Sequence, residues 1–229
     1  MSDMPKIKSI VIDTFTAFQK NEILEKWEKG STSHADWKDY GVDIVMFIEH
    51  LNRRGFTCVG VLGYEGTGKS FGMKTLPSKT NVWFNADNKN TTFKGGKEEY
   101  GTIVAPTRYM KQPRTYSDVI SVVDSMQMTN LLDSEPVAFL IAHIEDYKAA
   151  DGIVRQKLKT LGKLANKINI EDKLTMCYYT DVQAEGQSVK YKLRTQNSGS
   201  NTCRTMEDLH DSLYIDNDFN LIMDALKIY

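Results

Sequence analysis

FTCVGVLGYEGTGKS, residues 56–70, joins an apolar run to a glycine-rich turn. The run is short, rich in valine and uninterrupted by charge, which predicts a strand buried on both faces. The turn fits G-x-x-x-x-G-K-[ST], with Gly63, Gly66, Thr67, Gly68, Lys69 and Ser70 at the expected spacing. Glycines at these positions let successive backbone N–H groups point inward at phosphate oxygens. The Lys69 ammonium suits the β- and γ-phosphates, and the Ser70 hydroxyl suits Mg²⁺. The N-terminus of a helix following the loop would add a favourable dipole. Gly63, Gly66, Thr67, Gly68, Lys69, Ser70 and Phe71 therefore form the expected contact set for ATP with Mg²⁺. A glycine turn with an exposed lysine is the plainer alternative.

Outward from this stretch, KSIVIDTF (8–15), whose apolar run ends at Asp13, NVWFNAD (81–87) and PVAFLIAH (136–143) are further buried-strand patterns. VDIVMFIEHLNRRG reads as a helix stopped by Gly55, and SDVISVVDSM as another. Residues 28–41 and 88–116 read as polar loops. An amphipathic helix is expected over 153–168. LTMCYYTDV and SVKYKLRTQ, joined by AEGQ, predict a hairpin, and FNLIMDALKIY a closing helix. Strands alternating with helices imply an α/β fold with a mainly parallel sheet covered on both faces and a C-terminal β-hairpin. At 229 residues, without repeats or a linker-like tract, one domain over 1–229 is expected.

Lys and Arg number 29 against 30 Asp and Glu, so binding through bulk positive charge is excluded. Three scattered cysteines, Cys58, Cys177 and Cys203, suit a reducing compartment. The opening MSDMPKIKSI lacks a signal-peptide core, and no long apolar run suggests a membrane span. The expectation is a cytoplasmic protein.

Phosphate-loop chemistry needs an acid at a neighbouring strand end to support the metal. Asp13 fits by pattern, although it precedes the loop in the chain. Asp124 in VISVVDS is the rival in the usual order, but its segment reads as a helix. Asp87 would sit at the same sheet edge, where a carboxylate can position attacking water; plain solvation is its alternative. Glu65, inside the loop, reads as solvent-facing. His143 ends the strand VAFLIAH, where a polar group can report the γ-phosphate or serve as an ordinary hydrogen-bonding residue. Arg155, Lys159, Lys163 and Lys167 recur every fourth residue and would share one helix face. Such a stripe suits a nucleic-acid backbone, a neighbouring subunit's nucleotide, or simply water. Aromatics and lysines mixed through the two polar loops would suit single-strand stacking or pin those loops to the body.

Together GYEGTGKS, IVIDTFTAF, VWFNAD, DWKDYG, FLIAHIEDYK, LKTLGKLANKI, YKLRTQNSG and IDNDFNLIMDAL resemble the small RecA-like ATPases of bacteriophages, the Sak-type single-strand-annealing helpers of the AAA class. The resemblance covers most of the chain. It implies a RecA-like core in which nucleotide lies between subunits of a homo-oligomer. ATP turnover would accompany single-stranded DNA binding during recombination or annealing, alongside a single-strand annealing or single-strand-binding protein. By resemblance, Asp13 matches the magnesium-site aspartate and His143 the sensor. Two departures stand out. The family places the IVIDTFTAF block after the phosphate loop, whereas here it comes first. NAD at 85–87 stands where relatives often carry glutamate. Two other functions share the same phosphate loop: a nucleotide-dependent regulatory or loader module with little turnover, and a small-molecule kinase. The nearest arginines for a kinase lid are Arg108 and Arg114.

Overall fold

The parallel strands of the sheet alternate their side chains between two apolar layers. On β1 (Ile7–Asp13), Ile10 and Ile12 enter one layer and Val11 the other. On β2 (Thr57–Gly63), Cys58 and Leu62 oppose Val59 and Val61. The same period of two explains why these strands read as continuous apolar runs: both faces are covered. The computed structural model describes residues 5–30, 34–86, 93–95, 115–160 and 169–229, leaving aside the side chains of 34–42.

The remaining strands are β3 (Asn81–Asn85), β4 (Leu132–Lys148), β5 (Val154–Leu158), β6 (Met176–Glu185), β7 (Ser188–Arg194) and β8 (Tyr214–Asp216). Their order is β3-β1-β4-β2-β6-β7-β8, with β5 pairing only to the far end of β4. From β3 to β6 all pairs are parallel, while β6-β7-β8 and β4-β5 are antiparallel. The expected α/β class and the hairpin after β6 are both present.

One face carries helices α1 (Phe15–Glu28), α2 (His34–Arg53) and α3 (Tyr116–Met128), joined through Phe15, Phe18, Phe47 and Tyr116. The capping box of Thr115 and Asp118 starts α3. The other face carries Met73 and Leu76, and the closing helix α4 (Phe219–Ile228), whose Phe219 stacks on Phe139 at 4.6 Å.

Three expectations are corrected. α2 begins at His34, inside the predicted loop 28–41; polar composition alone does not separate a loop from a helical turn, because Ala, Lys and Asp all tolerate helix. From the motif's Lys69 the chain runs as a seven-residue 3₁₀ helix, Lys69–Thr75, in place of the full α-helix expected after the motif. Gly72 within it and Pro77 just beyond keep it short. The helix predicted from 153 is strand β5 at Val154–Leu158. β4 runs on past His143 to Lys148, turns through Asp151-Gly152 with Gly152 at φ 82°, and pairs back on itself. An Asp-Gly pair followed at once by the β-branched Ile153 and Val154 is a hairpin signal, and it outweighs the four-residue spacing of the basic residues.

Candidate phosphate-binding site

β2 delivers Gly63 to the carboxyl edge of the sheet, level with His143 on β4. The chain then turns through Gly66 and Gly68, both left-handed at φ 77° and 78°. Two of the motif glycines are also fixed by close packing. A Cβ on Gly63 would lie 1.9 Å from Thr180 Oγ1, and one on Gly68 would lie 2.6 Å from the Tyr191 ring. Thr67 Oγ1 donates to the Tyr64 carbonyl at 2.8 Å and lies 2.5 Å from Thr180 Oγ1. Asn217 Nδ2 donates to the Gly68 carbonyl at 2.7 Å. The Phe71 ring meets Tyr191 at 5.5 Å, with Lys74 Nζ 3.5 Å above its centroid. Thr180, Tyr191 and Asn217 thus brace the loop from β6, β7 and the segment before α4. No local motif marks them, since they reach the loop from more than a hundred residues away.

Lys69 is buried at 6% exposure, and its Nζ donates back across the turn to the Tyr64 carbonyl. Burial pushes its pKa down to about 8, while the carboxylates of Asp13 and then Glu65 pull the other way. Asp13 therefore acts electrostatically on the phosphate-loop lysine. The sheet order explains how. Ile12 on β1 and Gly60 on β2 share Leu140 of β4 as their partner, so Asp13 stands level with Val61, two residues short of Gly63. The N-terminal block, although first in the chain, supplies a strand next but one to the phosphate-loop strand.

No protein-family model matches the sequence, and no curated protein matches it.

Ser70 is half-buried at the loop's end, and Asp13 lies at the end of β1. Mg²⁺ bound to a nucleotide takes one or two protein oxygens and fills its octahedron with phosphate and water. One hydroxyl as a direct ligand, with a carboxylate reaching the ion through water, fits that demand. Asp124, the rival acid, lies on α3 and accepts from Arg54 Nε at 3.0 Å, with His50 Nε2 also at 3.0 Å. It belongs to the helix layer, as its sequence pattern suggests. His143 is partly exposed beside Gly63, and its carbonyl accepts from Lys159 N at 2.7 Å. Asp87 lies outside the described residues, as do Lys163, Lys167, Arg108 and Arg114.

The basic stripe is corrected along with its helix. Arg155 stands on β5 and pairs with Asp151, and Lys157 pairs with Glu145 at 3.3 Å. Of the stripe, only Arg155 lies on β5; Lys159 follows the strand, so these two do not stand on a helix face. Among the described residues no helix is long and apolar enough to cross a membrane.

Proposed function

We propose that this chain binds ATP with Mg²⁺ on residues 63–70 and hydrolyses it as a RecA-like ATPase acting on single-stranded DNA. The observation that carries the nucleotide reading is the pairing of the motif with its surroundings. A buried Lys69 sits within a braced glycine loop at the carboxyl edge of a parallel sheet, under the field of Asp13. The loop's N–H groups and Lys69 would hold the phosphates, while Ser70 and Asp13 would hold the metal, Asp13 through water. The bound ion would offset phosphate charge as the terminal P–O bond breaks. With only the short 3₁₀ helix Lys69–Thr75 at the loop's end, the loop's own N–H groups and Lys69 would carry more of the anion binding than a full helix dipole would leave them.

The DNA half of the proposal rests on the family resemblance, as do the homo-oligomer and the annealing partner. In this reading His143, at the edge beside Gly63, would sense the γ-phosphate, and Asp87 would position water. The test is ATP turnover by the purified chain with and without single-stranded DNA, alongside Lys69→Ala. Stimulated turnover that the substitution abolishes supports the proposal. ATP binding without DNA-stimulated turnover replaces it with the regulatory module, and phosphoryl transfer to a nucleoside replaces it with a kinase.

A further inference from the structure

Beyond His143, β4 leaves the main sheet as a two-stranded ribbon, Ile144–Lys148 against Val154–Leu158. Asp146 and Gln156 face each other across one rung of it. The Tyr64 hydroxyl spans that rung, donating to the Asp146 carboxylate and accepting from Gln156 Nε2 at 3.0 Å. The same residue's carbonyl accepts from both Lys69 Nζ and Thr67 Oγ1 inside the phosphate loop. Tyr64 is thus the joint between the loop and the ribbon: its backbone is held by the phosphate-binding lysine and its side chain by both ribbon strands.

We infer that Tyr64 transmits occupancy of the phosphate loop to the β4–β5 ribbon. The inference rests on the nucleotide reading above. Lys69 has one ammonium, buried and directed at the Tyr64 carbonyl. Phosphate oxygens are stronger acceptors for it than a neutral carbonyl. Drawing Nζ onto phosphate leaves the Tyr64 carbonyl with Thr67 alone and frees the residue to turn. The turn loosens the hydroxyl's hold on Asp146 and Gln156. The ribbon is anchored elsewhere by Gln156 N donating to the Ser200 carbonyl at 2.7 Å and by Lys159 N to His143, so it is released at the Tyr64 rung rather than unfolded. Its exposed Tyr147, Ile153 and Val154 are the surface that would change.

Amide hydrogen exchange on the full chain, with and without saturating ATP and Mg²⁺, tests this directly. Nucleotide should slow exchange over 63–70 and speed exchange over 144–158 by roughly tenfold, the scale expected when one charge-assisted hydrogen bond is given up. Gln156→Met keeps the side-chain length without the amide. It should retain protection of 63–70 while shrinking the nucleotide-dependent change in the ribbon; Tyr64→Phe should abolish that change. Protection of 63–70 with a ribbon that is unchanged or slowed overturns the coupling. So does a ribbon response that survives in Tyr64→Phe. If 63–70 gains no protection in the unsubstituted chain, the nucleotide reading itself fails and takes the coupling with it.

Discussion

Lys69 concentrates the electrostatic consequences of the fold. Its pKa is lowered to about 8 by burial, so between about 8 and its unfolded value the unfolded chain holds more protons than the folded one. This group's contribution to stability therefore rises with pH across that window and disfavours folding below it. Phosphate binding needs the charged form, so ATP affinity should fall as pH rises through about 8. Isothermal titration at pH 7 and pH 9 checks this, with Lys69→Ala weak and flat across the range. Asp13 helps keep Lys69 protonated; Asp13→Asn should move the fall in affinity to lower pH. The glycines make a second residue-scale prediction. Gly66→Ala meets open space and bears only the left-handed strain, about 1 kcal/mol. Gly68→Ala meets the Tyr191 ring as well and should cost more than about 2 kcal/mol in denaturant unfolding. Adding Tyr191→Ala to Gly68→Ala should restore the steric part of that loss.

Among the elements, the central strands are legible in the sequence because both their faces are buried, and an apolar run of that length between turn residues is too short for most helices. Helix α1 is not marked by periodicity. Its first turn, Phe15 to Gln19, is buried all round and its later turns are largely exposed, so no stripe forms. The ribbon is hidden because the cationic spacing suggests a helix face, whereas Asp151-Gly152 and the β-formers on either side turn the chain into a hairpin. Within the site, the motif residues 63–70 can be read locally. Thr180, Tyr191 and Asn217 cannot, because tertiary contact alone brings them to the loop. β1 lies between β3 and β4, so the N-terminal block is part of the sheet's interior. A chain beginning at residue 56 should show no cooperative thermal transition by circular dichroism, because β4 would lose a fully buried neighbour.

At the scale of the molecule, chain order and spatial order are separate quantities. A strand that comes first in sequence reaches the site because sheet packing is decided by adjacency, and here β4 separates β1 from β2 in the same parallel array. The central proposal is that this arrangement lets Asp13 serve the metal of a bound nucleotide. The most direct measurement is ATP binding and turnover as Mg²⁺ is titrated, comparing the unsubstituted chain with Asp13→Asn, which removes one charge at nearly constant shape. The account predicts that Asp13→Asn loses turnover by roughly a hundredfold or more and loses the Mg²⁺-dependent part of ATP affinity. A Mg²⁺ dependence and turnover indistinguishable from the unsubstituted chain would contradict it.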